Sequence, residues 1–275
     1  MLAHLMDVSI RSLLLAALCA LGLWILKRGR TAALEHAVWM VVVCGMLGLL
    51  AFGQILPRLP LRILDSPPAV PNTQPVAVTF LPMPETAFLP APIPTHTKRS
   101  ISWSGVALIA YACVALAFLA RFVTGMFLIR RLIGKGNPIA GFLESEIVAV
   151  PLTVGWLRPK ILLPLEWRKW DRDKLDAVLA HEGAHVQRRD NLVAALAGMN
   201  RCVFWFHPLA WMLERKLALL AEQACDEASV AELGDRERYA GLLLEMARVV
   251  DGSKGRLRCH ALTMASGSHV GRRIE

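Results

Sequence analysis

The sequence predicts a membrane protein, mainly α-helical with a small β-sheet, in which three N-terminal transmembrane helices precede an α+β domain. Three observations carry this prediction. The 275 residues are 55% hydrophobic with a mean hydropathy of +0.45, too apolar for an ordinary soluble chain. Apolar runs near 8–26, 32–52 and 101–122 are each long enough to cross a hydrocarbon layer of about 30 Å. Further on, His181-Glu182-Gly183-Ala184-His185 is an HExxH segment. On a helix this spacing puts two imidazoles on one face, where both can bind a single Zn2+, with the intervening Glu placed to activate the metal's water. The second part is therefore predicted to be a zincin-like α+β metallopeptidase domain. With eight His and thirteen Glu in the chain, chance would produce the pattern about once in a hundred such chains, so its context has to support it.

The formal charge of +9 divides into +5 on residues 1–122 and +4 on 123–275, with no basic run longer than a few residues. That pattern reads as Lys and Arg flanking membrane segments, and direct nucleic-acid binding is not expected. The six cysteines include no CxxC, and Cys19, Cys44 and Cys113 lie inside apolar stretches. They form neither a disulfide framework nor a zinc ribbon.

Taken in order, the first span lacks a basic leading region and is followed at once by another apolar run, which argues against a cleaved signal peptide. Lys27-Arg28-Gly29-Arg30 joins it to the second span, Ala32 to Phe52. A short basic turn between two spans is placed in the cytoplasm, with the N-terminus outside. Glu35 and His36 stand at the start of the second span. They read either as polar side chains reaching the interface or as contacts with substrate or with the later domain. Residues 57–97 hold eleven of the sixteen prolines and form an extended extracytoplasmic loop, a tether or a short ligand-sensing segment. The third span, Ile101 to Phe122, is followed by Arg130, Arg131 and Lys135, which return the chain to the cytoplasm.

The runs Ile147-Val148-Ala149-Val150-Pro151 and Lys160-Ile161-Leu162-Leu163-Pro164 read as strands of a small sheet, with Gly155 in the turn between them. An exposed strand edge next to a metal helix can hold an extended peptide; the plainer reading is core strands. The metal helix is expected to be capped by Asp171 or Asp173 and to reach about Arg189. Asn191 to Met212 is apolar enough to suggest a fourth crossing. Asn200-Arg201 in its middle and the break at His207-Pro208 favour instead a helical hairpin lying against or dipping into the membrane interface. Pro208 then opens a long helix to about Leu233 with Gly234 as its cap, and a last helix covers about 236–250. The expected division is a transmembrane hairpin over 1–56, the Pro-rich loop over 57–100, a third transmembrane helix over 101–122, a cytoplasmic metallopeptidase domain over 123–251 and a tail over 252–275.

A catalytic zinc site needs three protein ligands and one open position. His181 and His185 supply two, and Glu222, delivered by a second helix 37 residues beyond His185, is the candidate third. Peptide hydrolysis would follow, with zinc polarising the scissile carbonyl and Glu182 carrying a proton from water to the leaving amine. Asp226, one turn after Glu222, is placed to accept a bond from the non-metal nitrogen of a ligand histidine. The competing reading pairs both carboxylates with Arg215 or Arg236 on the helix surface. Cys225 reads as a soft ligand or a buried neighbour, and His207 as a turn residue. Tyr239 and His260 are candidate transition-state donors.

The blocks Arg158-Pro159-Lys160-Ile161-Leu162-Leu163-Pro164, Val178 to Asn191 around the metal motif, Trp205-Phe206-His207-Pro208-Leu209-Ala210-Trp211 and Glu222-Gln223-Ala224-Cys225-Asp226-Glu227-Ala228 occur in that order and at that spacing. They resemble the membrane zinc peptidases of the BlaR/MecR type, metallopeptidase family fifty-six. The resemblance covers about 145–250 closely, and the three preceding spans agree with it. It implies a gluzincin-like cytoplasmic domain with His181, His185 and Glu222 as zinc ligands, Glu182 as base and an acidic residue at Asp226. Receptor members carry a further span and an external β-lactam-binding domain and bring about cleavage of a cytoplasmic repressor. This chain stops at Glu275 without either, so antibiotic sensing is not expected and the abrupt end is consistent with a fragment.

The leading expectation is an integral-membrane zinc endopeptidase acting on a cytoplasmic protein, plausibly a repressor, during signalling. A non-catalytic membrane scaffold with a structural zinc site is the alternative, against which the retained Glu182 argues. A membrane quality-control or prenyl-processing zinc peptidase is a third reading. The lipid bilayer is the other expected partner, and the sequence leaves the oligomeric state open.

Overall fold

The computed structural model describes residues 2–26, 29, 31–53 and 102–252. The basic residues of the first turn, the Pro-rich segment and the tail with His260 lie outside the described residues. Three helices are long and apolar enough to cross a membrane: α1 (Leu2–Ile25), α2 (Ala32–Phe52) and α3 (Trp103–Gly134). The Thr31 hydroxyl caps α2 by accepting from the Leu34 amide. The helix that carries the expected third span runs on past Phe122 to Gly134. Residues 123–134 contain no proline, and the basic side chains that end the apolar stretch do not oppose helix formation.

A small four-stranded sheet follows, in the order β1-β2-β4-β3, where β1 is Asn137–Ile139, β2 Phe142–Ser145, β3 Leu152–Val154 and β4 Lys160–Pro164. β1 and β2 form an antiparallel hairpin, β2 and β4 run parallel, and β3 pairs antiparallel with β4 as an edge strand. β4 has the expected limits, but the expected strand over Ile147–Pro151 is not formed. The Ser145 hydroxyl accepts from the Ile147 amide and turns the chain there. Pro151 offers no amide to a ladder, so pairing starts one residue later, at Leu152. Gly155 makes the β3–β4 turn at φ +92°, where an added Cβ would come within 2.8 Å of the Arg158 carbonyl oxygen.

Four helices follow among the described residues: α4 (Arg172–Arg188), α5 (Asp190–Val203), α6 (Pro208–Leu233) and α7 (Arg236–Gly252). Asp171 caps α4, its carboxylate accepting from the Lys174 amide at 2.7 Å. Gly234, at φ +72°, ends α6. His207 caps α6 rather than reaching the metal motif, with its Nδ1 accepting from the Leu209 amide.

α5 and α6 form a hairpin packed against α1 and α2 in one core, which includes Val8, Val42, Met46, Ala197, Phe204 and Leu213. α5 runs beside α2 in the same direction. His36 faces Asp190, and ten residues further along both helices the Asn200 amide meets the Met46 sulfur at 3.6 Å. The hairpin therefore follows α2 for about 15 Å at the helical rise of 1.5 Å per residue. On its other side Tyr111 of α3 donates to the Val203 carbonyl at 2.9 Å. Phe122 of α3 packs onto Gly198, where a Cβ would lie 3.0 Å from its ring, a close approach of the kind small residues permit between membrane helices. Arg201 and Glu214 pair across the hairpin at 3.1 Å, both nearly buried, with the guanidinium 5.0 Å from the Trp211 ring centroid.

Candidate metal centre

The C-terminal half of α4 carries the HExxH residues, and α6 brings Glu222 back to them after the hairpin. The rings of His181 and His185 stand 5.0 Å apart, nearly perpendicular. Their Nε2 atoms face the same carboxylate, at 3.8 Å from Glu222 Oε2 and 3.7 Å from Oε1 respectively. One ligand atom from each of His181, His185 and Glu222 lies within 4.8 Å of the others. Three donors from nitrogen and oxygen, converging from two helices, match the donor set of a divalent-metal centre.

The opposite ring nitrogens are engaged behind the site. His181 Nδ1 lies 2.9 Å from the Tyr239 hydroxyl and 3.3 Å from Asp226 Oδ1, and Tyr239 donates to that same oxygen at 2.8 Å. A relay from His181 Nδ1–H to the phenol and from the phenol to Asp226 leaves the Nε2 lone pair directed at the cluster. Tyr239 thus stands behind the His181 ring, away from the Nε2 side where a transition-state donor is needed. His185 Nδ1 lies 3.0 Å from Asp190 Oδ2, which also accepts from Arg188 Nε at 3.3 Å.

Asp190 is the site residue that sequence reasoning missed. It opens α5 immediately after Arg189, whose left-handed backbone (φ 55°, ψ 38°) ends α4 and reverses the chain toward His185. An acidic residue directly after the helix stop was the available signal, but the direction in which that stop turns the chain is not written in the residue types.

The electrostatics call for positive charge. Burial alone would lower the pKa of His185, yet the bonds to Asp190 and Cys225, with the Glu182 charge, push it up to about 11. Burial also opposes the charged form of Asp190, but His185 and Arg188 outweigh it and hold that carboxylate below its ordinary range. A divalent cation on the Nε2 side answers the same demand. Cys225 also lies beside His185 Nδ1 and Asp190, at 3.3 and 3.4 Å, and these three form a second possible donor group. Burial raises the Cys225 thiol pKa, and a neutral thiol on the crowded Nδ1 side is a poor ligand beside the open Nε2 cluster.

Glu182 is buried, and its Oε2 accepts from the Thr153 hydroxyl of β3 at 2.7 Å. The outward edge of β3 is not free for an added strand at this point, because the Asn191 side chain donates to the Thr153 and Gly155 carbonyls at 3.1 and 3.2 Å. α7 closes the other side through Tyr239 and through Lys174, which donates to Glu245.

The profile of the BlaR1 peptidase family, M56, matches residues 3–275. The chain belongs to this family. The regulatory protein BlaR1 of Bacillus licheniformis is 29% identical over 133 residues, which make up 48% of this chain and 22% of that protein. The match thus spans about a fifth of the relative's length. Membership in the M56 peptidases, together with three membrane-length apolar helices, supports a membrane metallopeptidase.

Proposed function

We propose that this M56 peptidase is an integral-membrane zinc endopeptidase whose metal is held by His181, His185 and Glu222. The observation that carries the reading is the convergence of both Nε2 atoms on Glu222 while both Nδ1 atoms are backed by carboxylates. A zinc ion held there would supply Lewis-acid chemistry, polarisation of a scissile carbonyl and a lowered pKa for a water near neutral pH. Glu182 is the general base. Thr153 occupies its Oε2, so Oε1 takes the proton from the attacking water and delivers it to the leaving amine nitrogen. Asp226 and Tyr239 fix the tautomer of His181, and Asp190 fixes that of His185.

By the placement of Lys and Arg around the apolar spans, the metal centre faces the cytoplasm. The substrate is accordingly a cytoplasmic protein, and the kinship to a protein named as regulatory favours a transcriptional repressor. Glu182→Gln tests the reading. It is expected to keep bound zinc and to lose peptide cleavage by about 10²–10⁴-fold, the usual worth of a general base. Zinc retention with undiminished cleavage, or signalling that survives the loss of cleavage, refutes it.

A further inference from the structure

We propose that His36, on membrane helix α2, is a positioning residue for the metal centre, acting on His185 through the carboxylate of Asp190. The proposal rests on the metal-site reading above. His36 lies one turn inside α2 and is only 6% exposed. An imidazole on a membrane helix that is turned neither to lipid nor to water needs a polar reason for its place. Its Nε2 is directed at Asp190 Oδ1, 3.9 Å away, and Asp190 is itself 6% exposed.

The two oxygens of that carboxylate are unequally served. Oδ2 is shared by His185 Nδ1, Arg188 Nε and the Cys225 thiol. Oδ1 is buried and has no hydrogen-bond partner among the described residues. A buried carboxylate oxygen without a partner is costly, and the His36 ring is the group set against it. A carboxylate held at one oxygen alone can rotate about its terminal bond. Confined on both sides, with the His36 ring 3.9 Å from Oδ1 and His185 Nδ1 bonded to Oδ2, the carboxylate acts as a strut. The orientation of the His185 ring, and hence the aim of its Nε2 at the cluster, follows from that strut. The register of α2 on α5, set further along by Met46 against Asn200, keeps His36 at the level of Asp190.

The test is zinc affinity of the full chain in detergent micelles, measured by competition with a chromophoric chelator, so that no substrate is needed. His36→Ala is expected to weaken zinc binding about tenfold, and Asp190→Asn by tenfold to a hundredfold, the range for residues that orient a metal ligand. The double variant should bind no more weakly than Asp190→Asn alone, because both act on one strut. His36→Gln, which keeps a nitrogen donor, should recover most of the affinity. Val42→Ala, a buried change on the same helix, should leave it unaltered. Wild-type affinity in His36→Ala, or single losses that add in the double variant, overturns the proposal. Should His36→Ala not fold, His36→Leu against His36→Gln carries the same comparison, and equal affinities overturn it. Zinc binding insensitive to His181→Ala overturns the metal-site reading itself, and this proposal with it.

Discussion

Thr153→Val removes one oxygen from β3 and leaves the side-chain volume nearly unchanged. In the native chain that hydroxyl lies 2.7 Å from Glu182 Oε2 and 3.1 Å from the Glu182 carbonyl oxygen. A hydrogen bond to a charged group contributes about 1.5–3 kcal/mol, and here it also decides which carboxylate oxygen remains to move the proton. Loss of that constraint in the transition state slows the chemical step by about tenfold to a hundredfold, since about 1.4 kcal/mol is tenfold in rate. The assay is single-turnover cleavage of a fluorogenic peptide that the wild-type chain accepts, with zinc content measured on the same samples. Zinc should be unchanged, because the Thr153 hydroxyl bonds to Glu182, which is not one of the three proposed ligands. Thr153→Ser, which keeps the hydroxyl, should cleave close to the wild-type rate. Equal rates for Thr153→Val and the wild type, or a Ser variant as slow as the Val variant, refute the assignment.

Further outcomes follow from other contacts. Glu222→Ala should abolish stoichiometric zinc binding, as read by atomic absorption after gel filtration, since it removes the carboxylate that both Nε2 atoms face. Because the His185 pKa is pushed up to about 11 in the metal-free chain, zinc uptake at pH 8 must displace its proton. Apparent affinity should therefore rise with pH in the range below about 11, and titration calorimetry in buffers of different ionisation enthalpy should register the released proton. Arg201→Met leaves Glu214 buried without its partner and should cost about 3–5 kcal/mol, whereas Arg201→Met with Glu214→Leu should lie close to the wild type; chemical unfolding in detergent compares them. Gly155→Ala meets both a positive φ and the Arg158 carbonyl and should destabilise by about 1–3 kcal/mol, visible as a lower melting temperature.

Much of the fold was legible because its signals are local. The limits of α2 follow from hydropathy, the start of α4 from Asp171, and the end of α6 from Gly234. The β-branched run 147–151 misled because strand propensity says nothing about a serine that turns the chain or a proline that delays pairing. The three-residue β3 is fixed by pairing with β4 rather than by its own composition. At the site, HExxH and the later Glu222 were readable from spacing. Asp226 was expected behind one of the proposed ligand histidines; it lies 3.3 Å from His181 Nδ1, with the Tyr239 hydroxyl bonded to both. Asp190 was not singled out, since its place depends on a left-handed residue, and for His36 contact with the later domain was one of two readings, between which only two helices more than a hundred residues apart in sequence lying side by side can decide. Polar residues in apolar stretches mark such places only once their neighbours are known.

The α5–α6 hairpin has one more consequence, for how this protein can change length. α5 goes in for fourteen residues, four residues turn, and the fourteen from Pro208 to Ala221 come back before Glu222. The equal arms return the third proposed ligand to the level of the first two. A turn added to one arm alone would carry Glu222 about 5.4 Å off that level. Viable insertions must therefore fall in both arms together, in steps of about seven residues, each moving the tip one helical turn further along α2. The interval from His185 to Glu222 thus acts as a ruler for the level of Glu222 against the two histidines, and homologous chains should differ in it by such steps.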